Sequence, residues 1–241
     1  EENQKKKKIE TKLNLYYKYY LIMKILTFDV ETTGLAPRYT DIAHTHRFPY
    51  VVQLSWLVYD TGANKISSIN DYLIKLPDGV KIPEESTEIH GITNKMMKGG
   101  EDIKRVLIKF ANDYANCKII VAHNINFDKK MMDVEFYREG MIGYLDKFRK
   151  QMFCTMQSSK TFCNLTMTSK YTGKTMLKWP KLCELHDKLF GEIMSNTHNA
   201  LVDILMCFRC YYKLENRIDI IDVNRKFKLL FENTCILKTK N

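Results

Sequence analysis

Five side chains that could bind a metal ion or carry a proton occur at three places in the sequence. Asp29 and Glu31 are two residues apart at the end of an apolar run, so in a β-strand both would point to the same face. Asp128 follows a second apolar run, and His198 and Asp203 begin a long helical pattern. Carboxylate oxygens are ligands that Mg²⁺ prefers, and imidazole is a base near neutral pH. Taken singly, such acids are commonly helix caps or solvated turns, so their combination carries the signal.

The elements that must bring these residues together can be predicted from hydrophobic periodicity. Alternating and continuous apolar runs predict strands over residues 24–30, 51–60, 66–76, 118–122 and 152–156. Helical spacing predicts helices over residues 102–116, 129–138, 181–190 and 200–214. Three meandering strands followed by βα units are typical of an α/β domain. The prediction is therefore a five-stranded mixed sheet flanked by helices.

The residues around the acidic positions match three known motifs in their known order. Residues 29–35 (DVETTGL), 121–128 (VAHNINFD) and 198–203 (HNALVD) resemble the exonuclease motifs of the DnaQ-like, or DEDDh, family of 3′–5′ exonucleases. Residues 88–93 (EIHGIT) resemble the segment that helps line the 3′-nucleotide pocket in that family. The resemblance covers roughly residues 23–214. It implies an RNase H-like exonuclease fold.

The resemblance also implies a reaction and the roles of five residues. It implies a metal-dependent 3′–5′ exonuclease that releases nucleoside 5′-monophosphates by a two-metal-ion mechanism. Two Mg²⁺ or Mn²⁺ ions would be held by four carboxylates, those of Asp29, Glu31, Asp128 and Asp203. His198 would be the general base, and the neighbouring acids are expected to favour its charged form and so to raise its pKa. Because unneutralised acids repel one another, the site should be loose without metal.

The same resemblance assigns substrate contacts to residues near the first two motifs. The candidates are Thr32, Thr33, Gly34, Leu35, His90, Ile92 and Asn124. The backbone around the two threonines would grip the 3′ end, and Leu35 would pack against the terminal base. His90 could contact the base or the phosphate. The interpretation of His90 as an ordinary turn residue is equally favoured. Asn124 could touch substrate, although ordering the loop that presents Asp128 is the favoured interpretation.

Charge and family resemblance together suggest the partners. The chain carries 38 Lys and Arg against 28 Asp and Glu, a net charge of +10, which suits a polyanion but also fits an AT-rich coding bias. The expected substrate is a single-stranded or frayed 3′ end of DNA. An exoribonuclease that trims RNA is the alternative within the class, because the reaction does not use the 2′-OH. An inactive nucleic-acid-binding or polymerase-docking module is the alternative from another class.

The ends of the chain differ from the part that bears the motifs. Residues 1–22 are expected to be a flexible basic extension, 23–215 the exonuclease domain, and 216–241 a basic C-terminal helix or tail. Residues 178–182 (KWPKL) resemble a polymerase III epsilon-like subgroup. A DNA polymerase is a candidate partner. Seven cysteines at irregular spacings and the lack of a long apolar run predict an intracellular protein without membrane association. Cytoplasm and nucleus both stay open.

Overall fold

A computed structural model describes residues 23–170, 172–195 and 197–237, and the expectation for residues 1–22 lies outside this part. Its main sheet contains β1 (Lys24–Thr32), β2 (Val51–Asp60), β3 (Lys65–Leu73), β4 (Ile119–Ala122) and β5 (Gln151–Cys154). The strand order is β3-β2-β1-β4-β5. The first three strands are antiparallel, whereas β1, β4 and β5 run parallel. The predicted five-stranded mixed sheet is confirmed.

The helices lie on both faces of this sheet. They are α1 (Glu84–His90), α2 (Ile103–Asn116), α3 (Ile125–Arg138), α4 (Thr155–Cys163), α5 (Leu182–Phe190), α6 (Ala200–Asn216), α7 (Ile220–Val223) and α8 (Arg225–Thr234). On one face, α2 and α3 pack side chains such as Phe110 and Met131 against Phe28 of β1. On the other, Phe208 of α6 packs with Ile25 of β1. Successive residues of β1 therefore face different cores, as the alternation of a strand requires.

The parallel pairing of β1 and β4 decides where the acidic residues meet. Ile25 pairs with Ile119 and Thr27 with Val121, so the two strands end at the same edge of the sheet. Beyond Thr27, β1 continues alongside β2, where Asp29 is opposite Ser55. The chain passes through β2, β3, α1 and α2 between β1 and β4, and through α3 between β4 and β5, because parallel strands cannot be joined by a tight turn. Residues that follow β4 are therefore brought next to the last residues of β1.

Several elements differ from their predicted extent. The first strand continues to Thr32, and α3 begins at Ile125, four residues before the predicted start. Asn124 adopts a left-handed conformation, with φ 68°, which turns the chain directly from β4 into α3. The helix α4 and the hairpin of β6 (Thr166–Thr168) and β7 (Thr175–Leu177) were not predicted. The buried residues of α4 are small or polar, so its sequence carries no clear apolar period.

The C-terminal helices pack on the same core as the sheet. Phe227 and Phe231 of α8 are buried in the cluster that contains Phe208. The buried guanidinium of Arg209 in α6 forms ion pairs with Asp219, just before α7, and with Glu192, after α5. A buried charge is tolerated only with such partners, so these contacts hold the three segments in one arrangement. The proposed boundary at residue 215 stays a prediction.

Candidate active site

Four carboxylates from three elements converge at the end of β1. Asp29 and Glu31 occupy alternate positions of β1, Asp128 lies in the first turn of α3, and Asp203 lies in the first turn of α6. Ligand atoms of Glu31, Asp203 and His198 lie within 4.8 Å of one another. Asp29 interacts electrostatically with the other three acids. The structure thus brings together all five side chains that the sequence singled out.

Burial and mutual repulsion disfavour ionisation of these carboxylates. Burial is the largest cause at each of them, and it raises the pKa of Glu31 to about 8 and that of Asp203 to about 7. The pKa of Asp29 is raised well above its usual value by burial and then by Asp128 and Asp203. Burial also raises the pKa of Asp128, although the backbone N–H of Val30 opposes this. A bound cation would remove the repulsion and restore the ionised forms.

Asp128 provides a direct test of whether these residues fit a metal ion. Its Oδ1 accepts a hydrogen bond from the backbone N–H of Val30 at 3.4 Å. Its Oδ2 is buried and has no hydrogen-bond partner among the described residues. Leaving such an oxygen unsatisfied is costly, and a divalent cation held by the surrounding carboxylates would satisfy it. The donor set is mainly carboxylate oxygen, which fits a hard divalent ion such as Mg²⁺ or Mn²⁺.

His198 is placed by the backbone that starts α6. It has a left-handed conformation, with φ 66°, and its backbone N–H donates to Asp203 Oδ2 at 3.2 Å. The next residue, Asn199, caps the helix through hydrogen bonds from Leu201 N and Val202 N to its side chain. A non-glycine residue in this region is uncommon and is often found at functional sites. The capped helix start therefore fixes His198 beside the carboxylate of Asp203.

The pKa of His198 moves in the opposite direction from the one expected. It is lowered, first by burial and then by the positive charge of Lys181. The expectation that neighbouring acids raise this pKa is wrong, because burial and the charge of Lys181 determine the direction of the shift. The imidazole is therefore neutral at pH 7 and able to accept a proton.

Thr32 and Thr33 use their polar groups to hold the loop after β1. Thr32 Oγ1 donates to the carbonyl of Gly34 at 2.6 Å. Thr33 exchanges two hydrogen bonds with Tyr50, through its backbone N–H and its Oγ1, and its carbonyl accepts one from Ser86. Leu35 follows with 90% of its surface exposed. The loop is thus anchored and Leu35 projects outward, while the contacts of these residues with substrate stay a prediction.

His90 and Ile92 differ in how they could reach a ligand. The Nδ1 of His90 accepts a hydrogen bond from Ile92 N at 3.0 Å, and its buried Nε2 lies towards the backbone of Thr32. Burial lowers the pKa of His90, and His198 lowers it further, so His90 lies near the candidate site. Ile92 is 3% exposed and packs with Val52 and other core residues. The structure places the side chain of Ile92 in a core, not at a surface.

His123 links the end of β4 to a segment far along the chain. Its Nε2 lies 3.0 Å from the carbonyl of Pro180 and its Nδ1 lies 2.9 Å from Thr155 Oγ1. Burial lowers the pKa of His123 to about 4, so the ring is neutral, and because a carbonyl can only accept, the Nε2–H donates a hydrogen bond to the Pro180 carbonyl. Asn124, the next residue, is exposed at the start of α3. These contacts fit the interpretation that this pair of residues orders the loop that presents Asp128.

A cleft of about 350 Å³ opens beside the carboxylates, and sequence reasoning missed one of its walls. Its lining residues are Asp29, His123, Asn124, Met156, Trp179, Pro180, Lys181, Leu182, Cys183, Thr197, His198 and Asp203. In the sequence, residues 178–182 indicate only a resemblance to a subgroup of the family. A tryptophan among lysines was the available signal, since aromatic and basic residues together are typical of nucleic-acid contacts.

A mixed sheet with four carboxylates and a histidine at one edge is an arrangement that can hold metal ions for hydrolytic chemistry, and the family match shows that the class is a nuclease domain. Residues 26–211 match the family model RNase_T, described as exonuclease, and the chain belongs to this exonuclease family. The match confirms the resemblance to DEDDh exonucleases that the motifs indicated. Among the described residues, none of the helices has the length and apolar character needed to cross a membrane.

In sequence the chain is similar to DNA polymerases III of the PolC type, and in structure it is similar to exonuclease I. The chain is 30% identical over 132 residues to DNA polymerase III PolC-type of Lactococcus lactis and 36% identical over 227 residues to that of Mycoplasma genitalium. These matches cover 55% and 89% of this chain but only 7% and 14% of the relatives. The E. coli exonuclease I structure in complex with a dT13 oligonucleotide matches with TM-score 0.61 and 17% identity, over 86% of this chain and 46% of that one. The predicted RNase H-like fold is confirmed.

Proposed function

We propose that this nuclease domain hydrolyses phosphodiester bonds at the 3′ end of DNA and releases nucleoside 5′-monophosphates. The observation that carries the proposal is the meeting of Asp29, Glu31, Asp128, His198 and Asp203 at one edge of the sheet. Carboxylates of β1, α3 and α6 come together there, although they are far apart in sequence. Their burial beside an open cleft supports a site that acts on a ligand, not a solvated acidic surface.

Each of these residues receives one role. Asp29, Glu31, Asp128 and Asp203 would hold two divalent ions, Mg²⁺ or Mn²⁺. When bound, such ions stabilise the charge that develops on the attacking and leaving oxygens. The imidazole of His198, neutral near pH 7 and lining the cleft, would accept the proton of the attacking water. The N–H of Val30 would keep the Asp128 carboxylate turned into the site.

The names of the relatives favour DNA as the substrate. The two relatives are called DNA polymerases, and the exonuclease I neighbour was solved with a DNA oligonucleotide. These names also support a DNA polymerase as the partner of this domain. The five side chains do not themselves discriminate against RNA, because none of their proposed roles involves the 2′-OH. An exoribonuclease therefore stays the second candidate.

An assay on end-labelled strands tests the proposal. Single-stranded DNA and RNA of one sequence, labelled at either end, are incubated with EDTA, Mg²⁺ or Mn²⁺. We expect labelled mononucleotide as the first product from 3′-labelled DNA, only with a divalent ion, and no product from the Asp29→Ala variant. Faster cleavage of RNA would favour the exoribonuclease, and mononucleotide released first from the 5′ label would contradict the direction.

A second pair of substrates tests whether the 3′ end of the strand must be unpaired before it is cut. A duplex with a frayed 3′ end should be degraded faster than the same duplex with a paired end. Unstacking and unpairing a terminal nucleotide costs a few kcal/mol, and only the paired end requires this free energy before cleavage. Equal initial rates on the two duplexes would show that the terminal nucleotide does not need to leave the helix.

A further inference from the structure

The wall of the cleft formed by Trp179, Pro180 and Lys181 has no role in the proposed chemistry. The protein has two tryptophans, and they lie in contrasting surroundings. Trp56 is fully buried in the core, whereas Trp179 is 47% exposed and lines the cleft next to His198 and Asp203. An indole at the surface of a candidate active site offers a large flat contact area to a ligand. We refer to these three residues as the Trp179 wall.

Hydrogen bonds anchor the backbone of the Trp179 wall at Pro180 and Lys181. The carbonyl of Pro180 accepts the hydrogen bond of His123 Nε2, and Lys181 N donates to Glu184 Oε2 at 2.7 Å. The ammonium of Lys178 pairs with the other oxygen of Glu184. These bonds join the wall to the end of β4 and to the first turn of α5. A contact surface that is ordered in advance binds a ligand without paying the entropy of ordering it.

Two lysines lie near the indole in the fold or along the chain. Lys160 of α4 places its Nζ 3.9 Å from the centroid of the Trp179 ring, a cation–π contact that covers part of the ring. Lys181 lies close enough to His198 to lower the pKa of that histidine. A partly exposed indole that shares the cleft with Lys181 matches one nucleotide of a single strand, with the base on the free part of the ring and the phosphate near the lysine.

We propose that Trp179 stacks on a base of the substrate strand and that Lys181 contacts a phosphate of the same strand. The proposal rests on the proposed function, since the strand is the one whose 3′ end is cut. The terminal nucleotide is assigned to Thr33 and Leu35, which are not among the lining residues of this cleft. The stacked base therefore belongs to another nucleotide of the strand. Because a base on the indole has left its own duplex stack, the wall selects single strands.

Binding of a fluorescein-labelled dT10 oligonucleotide, with Ca²⁺ in place of Mg²⁺, tests the role of Trp179. Fluorescence anisotropy is measured for the wild type, Trp179→Ala and Trp179→Phe. The control is Phe162→Ala, which removes an aromatic side chain of similar exposure (49%) that does not line the cleft. We expect Trp179→Ala to weaken binding about 5- to 150-fold, the usual contribution of one base–aromatic stack. Trp179→Phe should restore most of the affinity, and the control should bind as the wild type does.

Two further readouts separate stacking from a merely structural effect. An unlabelled oligonucleotide should quench the tryptophan fluorescence of the wild type but not that of Trp179→Phe, whose one remaining tryptophan is the buried Trp56. Lys181→Gln should lower the slope of log K against log salt concentration by about 0.7, the value for one phosphate contact on a single strand. An unchanged slope would remove Lys181 from the proposal.

The outcomes distinguish this proposal from the proposed function. Unchanged affinity in Trp179→Ala, or no rescue by Trp179→Phe, would overturn the stacking role. Hydrolysis of end-labelled DNA by the wild type with Mg²⁺ is measured in parallel. If the wild type does not hydrolyse DNA but binding still depends on Trp179, the proposed function fails and the Trp179 wall stands as a binding site. If the wild type does not bind the oligonucleotide, the Trp179 wall proposal fails.

Discussion

Crowded carboxylates dominate the chemistry of single residues in this protein. Burial raises the pKa of all four acids, and the charges of neighbouring acids raise it further at Asp29, Glu31 and Asp128. The same arrangement that disfavours four negative charges favours a divalent cation among them. A substitution that removes one acid should therefore have opposite effects on activity and on the stability of the metal-free protein.

Asp29→Asn and Asp203→Asn test these opposite effects. We expect each to lower the hydrolysis rate by at least about a thousandfold, since stabilisation by bound metal ions is worth several kcal/mol and each 1.36 kcal/mol is tenfold. The free energy of unfolding in EDTA should rise or stay level, as measured by urea denaturation. The control is Asp187→Asn, a change at an exposed acid of α5. Wild-type turnover by Asp29→Asn with Mg²⁺ would contradict the metal assignment.

The pH profile of hydrolysis tests the role of His198. If its neutral imidazole is the base, activity should rise with pH through a pKa below the usual value of about 6.5, because burial and Lys181 favour the neutral form. Lys181→Gln should move this limb to higher pH. His198→Gln should lose about 10²- to 10⁴-fold in rate. If His198→Gln instead loses metal affinity and excess Mn²⁺ restores its turnover, His198 is a ligand and not the base.

At the scale of elements, the start of α6 must be held against the sheet for its two functional residues to meet β1. The buried side chain of Gln53 in β2 makes this connection. Its Oε1 accepts a hydrogen bond from Ala200 N at 3.2 Å, and its Nε2 donates to Asp71 Oδ1 in β3 at 2.7 Å. Gln53 is also opposite Glu31 in the register of β1 and β2. One amide thus joins two strands to the first residue of α6.

Gln53→Ala should weaken this connection. It leaves the N–H of Ala200 without its partner, and an unsatisfied buried group costs about 1–3 kcal/mol in the free energy of unfolding. We also expect a lower rate constant for hydrolysis at saturating substrate, because the position of Asp203 becomes less well defined. The control is Ser67→Ala at an exposed position of β3. Loss of stability with an unchanged rate would mean that Gln53 supports the fold alone.

At the scale of the whole molecule, the acidic site links stability to pH and metal. The folded protein holds protons on Glu31 to about pH 8 and on Asp203 to about pH 7, whereas in the unfolded chain both acids lose them near pH 4. Without metal, the free energy of unfolding should therefore fall as pH rises from about 4 to about 8, by on the order of a few kcal/mol. Mg²⁺ should restore the stability most strongly at the alkaline end. Urea denaturation at several pH values, with EDTA or Mg²⁺, measures both effects; a flat profile in EDTA would contradict the pKa shifts.

Deletion of residues 1–22 tests whether the described part is sufficient. We expect the shortened protein to fold and to hydrolyse DNA, because the sheet begins at Lys24 and the family match at residue 26. Affinity for DNA should fall only as far as the lysines at positions 5–8 contribute, and that difference should vanish at high salt. Thermal denaturation and the end-label assay measure these effects. An insoluble product would show that the first 22 residues are needed for folding.

The sequence by itself determined the elements with strong local patterns and the residues of the site. The second strand has its predicted bounds, and α2 starts one residue after the predicted start, with Asp102 as its cap. Local periodicity suffices there because each of these elements buries a regular set of apolar side chains. The motifs also indicated all five side chains that meet at the end of β1, because their types and order are written directly in the chain.

The tertiary structure alone decided the surroundings of these residues. The Trp179 wall lies on the cleft because the Pro180 carbonyl meets His123, 57 positions away in the chain, and no local pattern encodes that contact. The lowered pKa of His198 depends on burial and on Lys181, and the sequence showed only the nearby acids. Burial and electrostatic potential are sums over neighbours from distant segments. They therefore become known only when the chain is folded.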